Sequence, residues 1–148
     1  MFPAQETIKQ HQAQWTTLKE QHGLTELKAI SEAETLQQQA DNEVLVGDFT
    51  SSLEHYATVA KLIETNNQLI ETFTPAKEEA EKSHAAWLAY SEQEKLTNNE
   101  DANAAQVLLE QAKQAQNTGD LTVSLEQYQQ AHSSFVAVTA QAEHVVQT

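Results

Sequence analysis

The chain is one sequence written twice. Laying residues 1–72 on residues 73–144 without a gap gives 21 identities in 72 positions. Trp15 recurs as Trp87, Leu36 as Leu108, and Pro3-Ala4 as Pro75-Ala76. The segment Gly47-Asp48-Phe49-Thr50-Ser51-Ser52-Leu53-Glu54-His55-Tyr56 returns as Gly119-Asp120-Leu121-Thr122-Val123-Ser124-Leu125-Glu126-Gln127-Tyr128. A repeat is a supersecondary unit that buries its apolar face against its copy. Whatever one half folds into, the other must fold into as well. Two units are expected, 1–72 and 73–148, together making one structural domain.

Composition says what those units are made of. Ala, Gln, Glu and Leu dominate, which favours helix, and the three Gly and two Pro stand as punctuation. With no cysteine, disulfides, thiolate metal sites and a cysteine nucleophile are excluded. The net charge is −14, and all eight basic residues other than His are Lys. Arg is the residue for bidentate phosphate and base-edge contacts, and an acidic surface repels a polyanion. Neither nucleic acid nor an anionic membrane is expected as a partner. No apolar run approaches membrane-spanning length and no signal segment opens the chain, so a cytoplasmic protein is the default expectation. A periplasmic or envelope location would hold for a fragment of a longer exported protein.

The periodicity predicts three helices per repeat, six in all, with no strand. Pro3 opens the first helix, and Thr74-Pro75 reads as the N-cap and first residue of the fourth. Ile8, Trp15 and Leu18 mark the first helix, and Ala80, Trp87 and Tyr90 its copy. Gly23 is a natural C-terminal stop whose counterpart is Lys95. The second helix, about 25–46, carries Leu27, Ile30, Ala33, Leu36, Ala40 and Val44 on one face. Its copy carries Ala102, Ala105, Leu108, Ala112 and Ala115. Gly47 and Gly119 stop these helices in the left-handed conformation, and Asp48 and Asp120 cap the next ones. The third helix, about 48–72, has the stripe Phe49, Leu53, Tyr56, Ala60, Ile63 and Ile70. The sixth has Leu121, Leu125, Tyr128, His132, Phe135, Ala142 and Val146.

The second and third helices of each repeat resemble a tetratricopeptide motif. Ala112, Gly119-Asp120, Ser124, Tyr128 and Ala131 follow its pattern, as do Ala40, Gly47-Asp48, Ser52 and Tyr56, with Val59 in the last place. The period is 72 residues, and the motif's terminal proline is missing. The resemblance implies an all-α fold of six helices, two three-helix repeats stacked in a right-handed arrangement. The whole pattern is also similar to helical repeats that accompany sulfatase-modifying-factor-type domains in some bacterial proteins. That likeness implies an accessory region of a longer bacterial enzyme.

The copies differ in an ordered way. His84-Ala85-Ala86-Trp87-Leu88-Ala89-Tyr90 is apolar nearly all round, so this helix is expected at a buried junction with Leu88 against the first repeat. Val44-Leu45-Val46 becomes Gln116-Asn117-Thr118 in the second copy, which suggests that the trailing side of repeat 1 closes against the leading side of repeat 2. In the other direction, Val107, Leu109, Val136 and Val138 replace Thr35, Gln37, Glu64 and Asn66.

No catalytic constellation emerges. Of the six His none pairs at i, i+4, and no pair of Glu-x-x-His motifs occurs as in carboxylate-bridged bundles, so no metal is expected. His132, on an apolar stripe, reads as a hydrogen-bonded core residue. Glu54 and Glu126 recur but read as helix-surface residues, and no phosphate-cradling glycine loop is present. No cofactor is expected, and the chain reads as non-catalytic. The first functional reading is a protein-interaction module. The tetratricopeptide resemblance implies groove positions Glu34, Gln37, Asp41, Val44 and Leu45, and in the second copy Gln106, Leu109, Lys113, Gln116 and Asn117. Carboxylates there favour a basic or mixed peptide. Val44 and Leu45 cannot serve both this groove and the closed junction. The second reading is a small acidic chaperone or adaptor for a secreted protein, which predicts a homodimer with a large exposed apolar face. A ligand-binding or enzymatic bundle would require a polar-lined cavity.

Overall fold

The computed structural model describes residues 2–24, 27–96 and 99–147, the last two by their backbone alone. Every element is helical: α1 (Pro3–His22), α2 (Lys28–Leu45), α3 (Phe49–Gln93), α4 (Glu100–Asn117) and α5 (Leu121–Gln147). Thr25 and Glu26, where the second helix is expected to begin, and the Val146 side chain lie outside the described residues.

There are five helices among the described residues, not six, and the six-helix tetratricopeptide-like stack is therefore not what this chain builds. The third and fourth expected helices are one helix of 45 residues with Pro75 inside it. Thr74-Pro75 does not start a helix because the apolar stripe keeps its phase across the proline. Ile70, Phe73, Ala76, Ala80, Ser83 and Trp87 are all buried, at spacings of three or four. An interior proline removes one bond to the carbonyl four residues back and crowds it, a loss of about 3 kcal/mol. Burial of Ile70 and Phe73 contributes about 1.5–3 kcal/mol each, which outweighs that loss.

The chain divides into two compact units, Met1–Glu71 and Thr72–Thr148, with the boundary inside α3 one turn before Pro75. In unit 1, α1 begins at Pro3, and the Phe2 N–H donates to Gln5 Oε1 at 2.8 Å. Its helices are tied pairwise. Gln12 Nε2 on α1 donates to Gln37 Oε1 on α2 at 2.8 Å, and Asn67 Nδ2 on α3 donates to the His11 carbonyl of α1 at 3.1 Å. The buried Ser52 hydroxyl donates to the Ala40 carbonyl at 3.1 Å, locking α3 to α2. In unit 2, the Ser124 hydroxyl donates to the Ala112 carbonyl at 2.7 Å, locking α5 to α4. The His84 ring lies on Phe135, 4.8 Å between centroids, and His132 Nδ1 meets the Glu79 carbonyl at 3.1 Å.

The units match position for position at their turns. Lys28–Leu45 and Glu100–Asn117 are 72 residues apart at both ends. Gly47 and Gly119 have φ of 83° and 85°. After each glycine the Asp N–H bonds back to a carbonyl five residues earlier, Asp48 to Glu43 at 2.8 Å and Asp120 to Ala115 at 2.9 Å. Each Asp carboxylate then accepts from the backbone N–H three residues on, that of Ser51 or of Val123. Gly23 and Lys95 take the same left-handed conformation, with φ of 59° and 54°. Trp15 and Trp87 are both buried.

The expected closed junction fails at its diagnostic residue. Leu88 is 50% exposed, and Ala85, Ala86 and Ala89 are exposed beside it. Small alanines make a helix look apolar all round without obliging it to be buried there. On the trailing side of repeat 1, Leu45 and Val46 stand in solvent as well.

Candidate functional site

The turn between α2 and α3 concentrates exposed apolar surface. Leu45 is 83% and Val46 81% exposed, followed by Phe49 at 53% and Leu53 at 44%. The local sequence forces this. Gly47 ends α2, so Leu45 and Val46 fall at the free end of the helix, past the last residue (Ala40) that it buries fully. Phe49 and Leu53 lie four apart in the first turns of α3, next to Ser52 and Tyr56 on the same stripe, yet those two are buried while Phe49 and Leu53 are not. The Phe2 ring closes one side, 6.2 Å from Phe49 in an edge-on pair and 6.1 Å from Tyr56.

Asp41, Glu43 and Asp48, close to these side chains in sequence, are each held by a bond of their own. The Tyr56 hydroxyl donates to Asp41, and burial, with this bond to a carboxylate, raises the Tyr56 pKa. His55 Nδ1 sits 2.5 Å from Glu43 Oε1. Asp48 accepts from Ser51 N–H at 3.2 Å. The equivalent end of unit 2 is different. Asn117 and Thr118 replace Leu45 and Val46, Leu121 is buried, and Leu125 is half-buried. Tyr128 there donates to Gln116 Oε1 at 3.3 Å, and Phe73 packs edge-on against its ring at 5.6 Å. Burial, with Glu81 and Glu110 nearby, pushes the Tyr128 phenol up to about 12.

The positions expected to line a groove scatter. Glu34 and Asp41 are exposed, and Leu45 with them, while Val44 is half-buried. Gln37 is half-buried in its bond to Gln12. In unit 2, Gln106 and Asn117 are exposed, Lys113 is exposed beside Glu110 at 3.8 Å, and Gln116 serves Tyr128. Leu109 is 1% exposed and belongs to the core, so it offers a partner nothing. The α4 stripe runs Ala102, Ala105, Leu109, Ala112, which puts Leu109 where Leu108 was expected.

Other surface depressions are shallow and poor in titratable groups. One of about 490 Å³ lies over Ser31, Thr35, Leu36 and Leu62, with Glu32 at its edge. One of about 270 Å³ is lined by Ser83, Ala86, Val136 and Thr139, with Glu143. Among the described residues no three His, Asp or Glu side chains gather at metal-binding distance. No helix among them is long and apolar enough to cross a membrane. Glu54 and Glu126 lie on the helix surface. Comparison with family models, with curated proteins and with solved structures gives no match.

Phe49, Leu53 and Val46 are the residues that the sequence pattern does not single out for the surface. Phe49 and Leu53 belong to the expected core stripe. The alignment of the copies does not separate Phe49 and Leu53, since their counterparts Leu121 and Leu125 are apolar too.

Proposed function

We propose that the chain is a non-catalytic interaction module, a twice-built helical scaffold that binds a protein or peptide partner through the surface of its helices. One observation carries this reading. Several exposed apolar side chains of one unit have no apolar counterpart in the other. Leu45 and Val46 stand in solvent where unit 2 has Asn117 and Thr118. Val107 and Val136, 55% and 50% exposed, stand where unit 1 has Thr35 and Glu64. An exposed apolar side chain adds little to the core and works against solubility, so its placement on one copy alone fits contact with another molecule. The acidic, Arg-free surface supports a protein or peptide over nucleic acid or an anionic membrane.

Panning an unbiased displayed peptide library on the purified chain tests the reading. Enriched peptides that bind the chain one-to-one in solution are the expected result. The reading fails if no enriched peptide binds in solution. The same exposed side chains also suit an acidic dimeric chaperone, and sedimentation separates the two. A monomer of 16.5 kDa is expected here, and a stable dimer would favour the chaperone.

A further inference from the structure

We infer that the α2–α3 turn of unit 1 is the docking surface, and that its occupant is a basic amphipathic segment of another protein. This rests on the interaction-module reading and adds a place and a chemistry to it. Leu45, Val46, Phe49 and Leu53 provide the apolar contact, with Phe2 as a wall beside Phe49. The turn itself does not require Leu45 or Val46. The second copy makes the same turn, with the same glycine φ and the same aspartate cap, while carrying Asn117 and Thr118 and burying Leu121.

Charge selects the occupant. Between Ala29 and Ala60 the chain carries six carboxylates (Glu32, Glu34, Asp41, Glu43, Asp48, Glu54) and no Lys. The equivalent stretch, 101–132, carries four carboxylates and Lys113. Each unit as a whole has eleven acids and four Lys, so the difference is one of placement rather than total charge. Asp41, Glu43 and Asp48 flank the apolar side chains and are fixed by bonds to Tyr56, His55 and Ser51. An apolar patch rimmed by fixed carboxylates is complementary to apolar anchors flanked by Lys or Arg. It repels an acidic peptide, and it repels a second copy of a chain with net charge −14.

The test titrates two designed peptides into the full chain by calorimetry. One places Leu at helical three-four spacing with Lys elsewhere; its twin has Glu in place of Lys. The proteins are the wild type and L45N/V46T, whose new residues are those the other copy carries at the same positions. The Lys peptide should bind the wild type, weaken as salt rises through the physiological range, and bind L45N/V46T about tenfold or more weakly. The Glu twin should not bind. Equal binding of the Lys peptide to both proteins would overturn the proposal, leaving a diffuse acidic surface. A dimer that L45N/V46T abolishes would also overturn it, because a second copy would then be the occupant. If library-selected peptides bind and the Lys peptide does not, the proposal falls while the interaction-module reading stands. If neither binds, both fall.

Discussion

Lys95 adopts a backbone conformation that suits glycine, and the other copy shows why. It occupies the place of Gly23, in the same left-handed region. Behind each, the next N–H bonds back five residues, Leu24 to Lys19 at 3.0 Å and Leu96 to Ser91 at 2.8 Å. The turn closes in both units, but a side chain there costs about 1 kcal/mol or more. Lys95→Gly should therefore stabilise the chain by roughly 1 kcal/mol and Gly23→Lys should destabilise it by a similar amount, both read from urea unfolding. No change in Lys95→Gly would show that the backbone there carries no strain. Gly47 and Gly119 were legible because glycine before an aspartate cap announces its own turn. Lys95 was not, since no residue type marks it. The difference in exposure between Phe49 and Leu121 was equally illegible. Both are apolar at the same helical position, and exposure there depends on what lies across the helix, which periodicity does not encode.

At the scale of elements, the long helix α3 is the main departure from expectation. Proline at a first helical position and proline inside a helix look alike in a short window, particularly behind a threonine. The phase of the stripe tells them apart. Ile70 and Phe73 before the proline and Ala76 and Ala80 after it keep one helical register, which a new helix would have no reason to preserve. Pro75→Ala separates the two cases. In a continuous helix it restores an N–H donor to the Glu71 carbonyl and removes the ring clash, so stability should rise by about 1–2 kcal/mol after the entropy returned to the unfolded chain. At a first helical position the same change would be neutral or mildly destabilising. The all-helical character, the C-terminal ends of α2 and α4 and the start of α5 were readable because stripe and glycine agree there. The number of helices was not, because one residue type serves two purposes.

For the whole molecule, two copies of a three-helix plan share their turns and a set of buried side chains (Trp15/Trp87, Ala40/Ala112, Ser52/Ser124, Tyr56/Tyr128), and differ in several exposed apolar ones. Ser52 and Ser124 make the same buried bond, and Tyr56 and Tyr128 occupy equivalent core positions with different polar partners. The expected junction misread Leu45, Val46 and Leu88 as buried because the differences between the copies were assumed to serve the scaffold. Their exposure leaves them outside the packed core. Thermal unfolding of L45N/V46T beside the wild type tests this division most directly. If the two side chains serve a partner and not the fold, the midpoint should stay within about 2 °C of the wild type. A fall of several degrees would place Leu45 and Val46 among the residues that hold the scaffold together, and would contradict the account.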